Sequence, residues 1–385
     1  FKAEPFSDTV VDLVPMPALA AAAATGVAAL GGATLLTWSW SRAKQIEPVP
    51  SRMRRVVLVE ASKDLENAKL EVQEVDTPKP RPGQVLVKVA AAPINPSDDG
   101  IWRLPPRQGY PLPLGNEGSG TVVASGGGVL ASRLLGKKVA VTGNTYVEYT
   151  VVDAMRAFML PQDMPVEDGC SFFVNPFTVV GMVETVKEQG GKALIHTAAA
   201  SQLGQMMVKY CKAEGVTLVN IVRRKEQVDV LRGLGAEHVI STSDADWQSQ
   251  LGTLIGDLKI KFAFDAISGD MPGTLLTMLP PGSSVYVYGR LSHQTVGNVQ
   301  PLDLIYRGKK LQGFLLTNWL MKGGMLKTLL RSIRTSKLVG RHLKGIFASE
   351  FKDTRLEDMH TDYCAFTASG VTGTKMRVLP HNRSE

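Results

Sequence analysis

The chain has only three cysteines in 385 residues, and Cys170, Cys211 and Cys364 lie too far apart to match any metal-binding or redox spacing. Such thiols fit a reducing compartment, each serving as a small buried hydrophobe. Aromatic residues are few as well, at 6%. No run of lysine and arginine is interleaved with them, so the formal charge of +7 is not read as a nucleic-acid surface. The first 41 residues carry one lysine against three acids, which leaves +9 on the remainder. Anionic cofactors, an anionic membrane surface or a basic organellar setting account for that charge.

Charge is missing altogether between Leu13 and Ser41. A helix over Ala18 to Trp40 would reach about 34 Å at about 1.5 Å per residue, enough for a hydrocarbon core of about 30 Å. Trp38 and Trp40 would stand at one interface, and Arg42, Lys44, Arg52, Arg54 and Arg55 follow at once. Residues 1–51 are therefore read as a transmembrane helix (about 18–40) with a linker, and the positive charges put the body on the matrix, stromal or cytosolic side. Small residues at Ala24, Ala28 and Gly32 share one face and would let a second helix approach closely.

Beyond the proline-stiffened linker "QIEPVPSR", short strands are expected at 85–90, 120–125, 137–143 and 146–152, separated by turns. This is the pattern of a small β-rich, barrel-like domain. From residue 177 strands alternate with longer amphipathic stretches: "KALIHT", "VTLVNIV", "EHVIST", "KFAFDAI" and "SVYVYG". Alternation of this kind implies βαβ units and a parallel sheet covered on both faces. The fold class is α/β. The expected divisions are 52–175, 176–318 for a nucleotide-binding domain, and 319–385 returning to the first domain.

The G-x-G-x-x-G fingerprint is absent from the first βαβ unit, residues 192–224. Ala198, Ala199, Ala200 and Ser201 occupy its turn, with Gly204 at the helix start. Small side chains suffice where backbone N–H groups and a helix N-terminus must approach a pyrophosphate. Arg223 and Arg224 end the second strand, where an acidic residue would select NAD and arginines accommodate a 2′-phosphate. NADP(H) is the cofactor expected.

Across both halves the chain from about Arg54 to Pro380 resembles the medium-chain dehydrogenase/reductase superfamily, in its zinc-independent enoyl thioester and quinone reductase branch. The carriers are "INPSD" (94–98), "GNEGSGTV" (115–122), "FVNPFT" (173–178), "HTAAASQLG" (196–204), "NIVRRKEQVDVLRGLGAEHVI" (220–240), "FDAISG" (264–269) and "VYGRLS" (287–292). The resemblance implies a GroES-like domain followed by a Rossmann domain. It also implies that Asn95, Ser97 and Asn175 line the nicotinamide and substrate side, and that Gly289 belongs to the cofactor site. Zinc-dependent members have Cys and His where this chain has Asn95 and Asn116, so no metal is expected. Enoyl thioester reductases place an acid tyrosine in the loop after "NPSD"; Leu104, Pro105 and Pro106 stand there instead, and Tyr110 is the nearest phenol.

Two functions remain open. One is a membrane-anchored NADPH-dependent reductase of enoyl thioesters or quinones, with Tyr110, Asn95 and Ser97 as catalytic candidates. The other is a catalytically impaired accessory subunit of a large respiratory-type membrane complex that kept the NADPH-binding fold. Either is expected at the mitochondrial inner membrane with the body on the matrix side, or at a chloroplast envelope or thylakoid on the stromal side. A homodimer is compatible with both.

Overall fold

Runs of β-branched and aliphatic residues bounded by Gly, Pro and Asn set the strand positions. The computed structural model describes residues 43–383, so the expected transmembrane helix lies outside the described residues. The chain divides into two compact units. Among the described residues, the first contains 43–170 together with Asp353–Ser369 and 376–383; the second contains Ser171–Lys352 and Gly370–Lys375. The expected boundary at 175/176 falls five residues inside the second unit. Of the expected segment 319–385, residues 353–369 and 376–383 go with the first unit, and 319–352 and 370–375 with the second.

In the first unit β1 (Arg52–Glu60) pairs with β2 (Lys69–Asp76), and β3 (Gln84–Pro93) leads into helix α1 (Pro96–Trp102). Strands β4 (Glu117–Ser125), β5 (Lys138–Thr142) and β6 (Tyr149–Asp153) follow. β3 pairs antiparallel with β4 and β6, and β4 with β5. The C-terminal strand Thr374–Val378 completes the other edge of β3, with Arg377 opposite Pro93 and Val378 opposite Ala92. The core clusters Val56, Leu58, Ile94, Trp102, Tyr146, Tyr363 and Met376. Trp102 is fully buried and meets Tyr363 edge to face at 5.3 Å.

Arg54 fastens the chain end to this unit. Its guanidinium pairs with the buried Glu148 at 2.9 Å, with Glu357, and with the carbonyl oxygen of Pro380 at 2.9 Å. Arg383 reaches the same Glu148 carboxylate at 3.2 Å. Burial works to raise the Glu148 carboxyl, but the N–H and guanidinium of Arg54, with Arg383, hold it below the ordinary range.

The second unit opens with α2 (Val174–Glu188), followed by β7 (Ala193–His196), α3 (Gln202–Glu214), β8 (Thr217–Val222), α4 (Glu226–Gly233) and β9 (His238–Ser241). Then come α5 (Trp247–Asp257), β10 (Phe262–Asp265), α6 (Met271–Met278), β11 (Ser284–Val287) and β12 (Lys310–Gly313). The six strands are parallel in the order β9-β8-β7-β10-β11-β12. β7 and β10 are buried at all four positions, as strands covered on both faces must be. Strand order reverses between β7 and β10, where Ile195 faces Ala263 and His196 faces Phe264. That switch point is where doubly wound sheets leave a crevice at the strands' C-terminal ends. Among the described residues, the stretch long and apolar enough to cross a membrane is Glu167–Glu188, which contains α2 and is largely buried within the protein.

Helix α1 starts from "INPSD" for local reasons. Pro96 suits the first helical position, and Asn95 with Asp98 forms a capping box in which the Asn95 N–H donates to Asp98 Oδ2 at 2.9 Å. Asp98 is buried, and its Oδ1 accepts from the Asn116 N–H at 3.2 Å. Burial pushes the Asp98 carboxyl up to about 7; the two N–H donors oppose this, while the nearby Glu117 adds to it. The unfolded chain releases this proton near pH 4, whereas the folded one keeps it to about pH 7. The Asp98 contribution to stability therefore falls as pH rises through that window, by on the order of 2–4 kcal/mol. Asp98→Asn should lose a pH-independent amount, about 1–2 kcal/mol, because its amide must face one of the two N–H donors. In urea titrations at several pH values, the stability advantage of wild type over Asp98→Asn should shrink as pH rises from about 4 and give way to a deficit by about pH 8. A constant gap would mean that Asp98 keeps an ordinary pKa.

Candidate functional site

The functional residues fall into two groups, one in each unit. In the second unit the turn after β7 is built by a buried hydrogen-bond network. Thr197 Oγ1 donates to Asp265 Oδ1 at 2.8 Å and accepts from the Ala266 N–H at 2.9 Å. Asp265 Oδ2 accepts from the N–H groups of Ile267 (3.1 Å) and Ser268 (2.6 Å). Burial raises the Asp265 carboxyl, while these donors favour its ionised form. The ends of β7 and β10 are thereby tied together at the switch point.

Ala198 takes a left-handed conformation with φ 52°, which an L side chain adopts at a cost of about 1–2 kcal/mol. The chain can then turn so that the Ser201 N–H donates to the Ala198 carbonyl at 3.0 Å, and Ser201 caps α3 by accepting from the Gly204 N–H at 3.2 Å. Gly204 is required where it stands: a Cβ there would lie 2.1 Å from the Ala199 oxygen. The N–H groups of Ala200, Gln202 and Leu203 donate to no acceptor among the described residues. Free N–H groups at a helix N-terminus form an anion cradle, so this turn fits a pyrophosphate. Ala199 and Ala200 are buried against the sheet and leave the approach clear.

At the end of β8 the side chain of Gln227 bridges the N–H groups of Arg223 and Arg224, accepting at 3.1 and 3.2 Å. Arg224 also donates to the Gly370 carbonyl at 3.0 Å. The Arg223 guanidinium is exposed and pairs with nothing among the described residues, and Lys225 pairs with Asp244 at 3.2 Å. Two guanidiniums on a fixed turn suit a 2′-phosphate. Gly289 follows β11 where a Cβ would come 2.9 Å from the Ala266 oxygen, and Asn175 is buried in the first turn of α2. Tyr288, the residue before Gly289, shares a 2.7 Å hydrogen bond between its hydroxyl and His196 Nε2, while His196 Nδ1 has no partner among the described residues. Burial lowers His196 to about 3 and raises Tyr288, so the pair is neutral at physiological pH.

In the first unit Asn95, Ser97, Asn116 and Glu117 come together. Asn95 Nδ2 donates to Glu117 Oε1 at 3.1 Å, and Asn116 Nδ2 donates to Ser97 Oγ at 3.1 Å. Thr145 Oγ1 donates to the Glu117 carbonyl at 2.7 Å, and Tyr146 OH to the Pro93 carbonyl at 3.2 Å. This donor set does not fit zinc: two of the three superfamily positions are amides, and the third is hydrogen-bonded to one of them. Tyr110 makes no hydrogen bond to these residues among those described. It is 43% exposed, and its hydroxyl accepts from the Ala61 N–H at 2.9 Å.

Sequence reasoning missed Thr197, Asp265, Gln227, Asp98 and the His196–Tyr288 pair. Asp265 and His196 lie inside motifs used for the resemblance, so their signal was in view. Gln227 lies inside such a motif too, at 220–240, but its role is visible only when its amide is seen bridging two N–H groups.

Comparison with known proteins agrees with this geometry. Residues 81–162 match the model described as the alcohol dehydrogenase GroES-like domain, and residues 203–333 the model described as zinc-binding dehydrogenase. The chain is 30% identical over 292 residues to a mitochondrial enoyl-[acyl-carrier-protein] reductase of Xenopus tropicalis, covering 70% of this chain and 82% of that protein. The human protein of the same description is 30% identical over 262 residues, 65% of this chain and 69% of that one. Among solved structures, a Mesorhizobium loti protein described as an NADPH:quinone reductase superposes with a TM-score of 0.76 at 29% identity, covering 87% of this chain and all of that one. NADP(H), the cofactor expected from the arginines, is thus also the one named for a structural relative. The chain belongs to the medium-chain dehydrogenase/reductase superfamily, with enoyl-acyl-carrier-protein reductases and quinone reductases as its relatives.

Proposed function

We propose that this chain is an NADPH-dependent reductase of an activated double bond, with a quinone or an enoyl thioester as acceptor. The observation that carries the reading is the cradle at Ala198–Gly204 joined to the paired guanidiniums of Arg223 and Arg224. Bound NADPH supplies a hydride. The chain's own part is to hold the pyrophosphate on the N–H groups of Ala200, Gln202 and Leu203, and the 2′-phosphate on Arg223 and Arg224. Ser97 Oγ accepts from Asn116, which leaves its O–H to donate to a substrate oxygen. The Asn95 amide, tied to Glu117, keeps that side polar without a metal.

Tyr110 bears on the choice of acceptor. Tyr110 keeps its O–H free to donate, but its hydroxyl is held at the Ala61 N–H and has no hydrogen bond to Asn95, Ser97, Asn116 or Glu117 among the described residues, a poor match for an acid that must reach its target atom. A quinone, whose reduction can draw its proton from solvent, is therefore favoured over an enoyl thioester. The names of the curated relatives support a mitochondrial location. Residues 18–40 serve in this reading as an inner-membrane anchor with the body on the matrix side, where a lipid-soluble acceptor is at hand. Exposed Leu302, Ile305 and Tyr306 near the edge strand β12 support a homodimer.

A second reading, an accessory subunit of a large membrane complex with impaired catalysis, is favoured by the same placement of the Tyr110 hydroxyl at the Ala61 N–H. A cofactor kept for stability would still hold the fold by mass action.

Arg223→Ala/Arg224→Ala should weaken NADPH binding about 100-fold and NADH binding less than about threefold, since each charge-assisted bond to phosphate contributes about 1.5–3 kcal/mol. Equal losses in fluorescence titrations would overturn the cofactor assignment. The full-length protein should oxidise NADPH with a soluble quinone, and Tyr110→Phe should leave that rate within about twofold. Turnover of an enoyl-CoA that disappears in Tyr110→Phe would instead make the tyrosine a working acid. On native gels of detergent-solubilised membranes the free enzyme should run as a small oligomer, after resisting carbonate extraction. Release by carbonate would remove the anchor, and co-migration with a large complex together with no turnover would favour the second reading.

A further inference from the structure

The helix Met325–His342 has its outer surface the wrong way round for a helix facing water. Its core-facing residues are Thr328, Thr335 and Val339. Met325, Leu329 and Ile333, with Leu326 and Leu330 alongside, form an apolar stripe on a different face, and all five are exposed, Leu326 at 69% and Leu330 at 58%. The charged residues of this helix are all basic: Lys327, Arg331, Arg334, Lys337 and Arg341. Arg331 is used internally, donating to the carbonyls of Trp319, Leu320 and Lys322 and lying over the Trp319 ring. Arg334 pairs with Glu184. Lys327, Lys337 and Arg341 are exposed, flank the apolar stripe, and have no ion-pair partner among the described residues. Charge continues beyond the helix: residues 304–349 contain ten lysines and arginines and no Asp or Glu.

We infer that this helix is a membrane-surface element, lying with Leu326, Leu329, Leu330 and Ile333 in the headgroup boundary of a bilayer rich in anionic phospholipid. Apolar area and basic charge on adjoining strips of one helix are what such a surface recognises. Charge complementarity selects this occupant over a second copy of the chain, which would bring the same basic segment against itself. The inference rests on the body alone and does not depend on the anchor at 18–40.

The test uses the full chain with Leu330→Cys and Cys364→Ser, labelled at residue 330 with an environment-sensitive fluorophore; Cys170 and Cys211 are buried. Vesicles of phosphatidylcholine alone are compared with vesicles containing about 30 mol% phosphatidylserine. Emission should shift to the blue on the anionic vesicles and not on the neutral ones, even if the anchor inserts into both. Lys327→Glu/Lys337→Glu/Arg341→Glu, or the milder Gln versions, should weaken the response about tenfold or more, and high salt should do the same. Circular dichroism checks that each variant is folded. An equal shift on both vesicle types, or none on either, overturns the inference. A shift present before vesicles are added also overturns it: if it grows with protein concentration, a second copy covers the helix, and if not, another part of the chain does. The anchor reading fails separately, if the unlabelled chain does not sediment with neutral vesicles.

Discussion

A single buried carboxylate holds the cofactor half of this protein in shape. Asp265 sits at the C-terminal end of β10 and collects the hydroxyl of Thr197 and the N–H groups of Ile267 and Ser268, while Thr197 in turn takes the N–H of Ala266. These contacts bind the two central strands of the sheet at the point where its order reverses. The turn carrying Ala198 in a left-handed conformation, and with it the capped start of α3, is fixed from below by that network. A buried carboxyl with fewer donors would take up a proton and slacken; this one is supplied with three.

The first unit solves a different problem. A superfamily site with a thiolate, an imidazole and a carboxylate would need a cation to offset their charge and desolvation. Here two of the three are amides, and the remaining carboxylate, Glu117, accepts from Asn95. Asp98 shares the same buried surroundings; burial is the main reason its carboxyl is raised, and the nearby Glu117 carboxylate adds to it. With amides at Asn95 and Asn116, the site stays polar and hydrogen-bonded without a thiolate or an imidazole to neutralise.

Much of this was legible in the sequence, for identifiable reasons. The parallel strands are runs of aliphatic residues punctuated by Gly, Ser and Asp, so "KALIHT", "VTLVNIV" and "EHVIST" fall on β7, β8 and β9 to within one residue at each end. Small residues from Ala198 to Ser201 and the pair Arg223–Arg224 stand out because their kinds are dictated by close approach and by charge. The antiparallel pairing of β1 and β2 was not anticipated, since "RMRRVVLVE" mixes charge into its apolar run and its partner is mostly polar. "LQGFLLT" was expected as one strand-like segment, yet only Lys310–Gly313 is strand and Leu316 already begins a helix. What no local pattern can disclose is partnership over distance: Gln227 under the arginines, the Ala61 N–H on Tyr110, or Arg54 on the chain's last residues.

Arg54 has a further consequence, for the order in which the protein can be made. The second unit is drawn from one unbroken stretch, Ser171–Lys352, apart from six residues. The first unit needs both ends of the chain: β3 waits for Thr374–Val378 to fill its open edge, and the Arg54–Glu148 pair waits for Pro380 and Arg383. Those residues are synthesised after Ser171–Lys352, so that stretch of the Rossmann unit can fold while the β-rich unit still has an exposed strand edge. Until Thr374–Val378 is in place, that edge is an unpaired strand open to association with another chain.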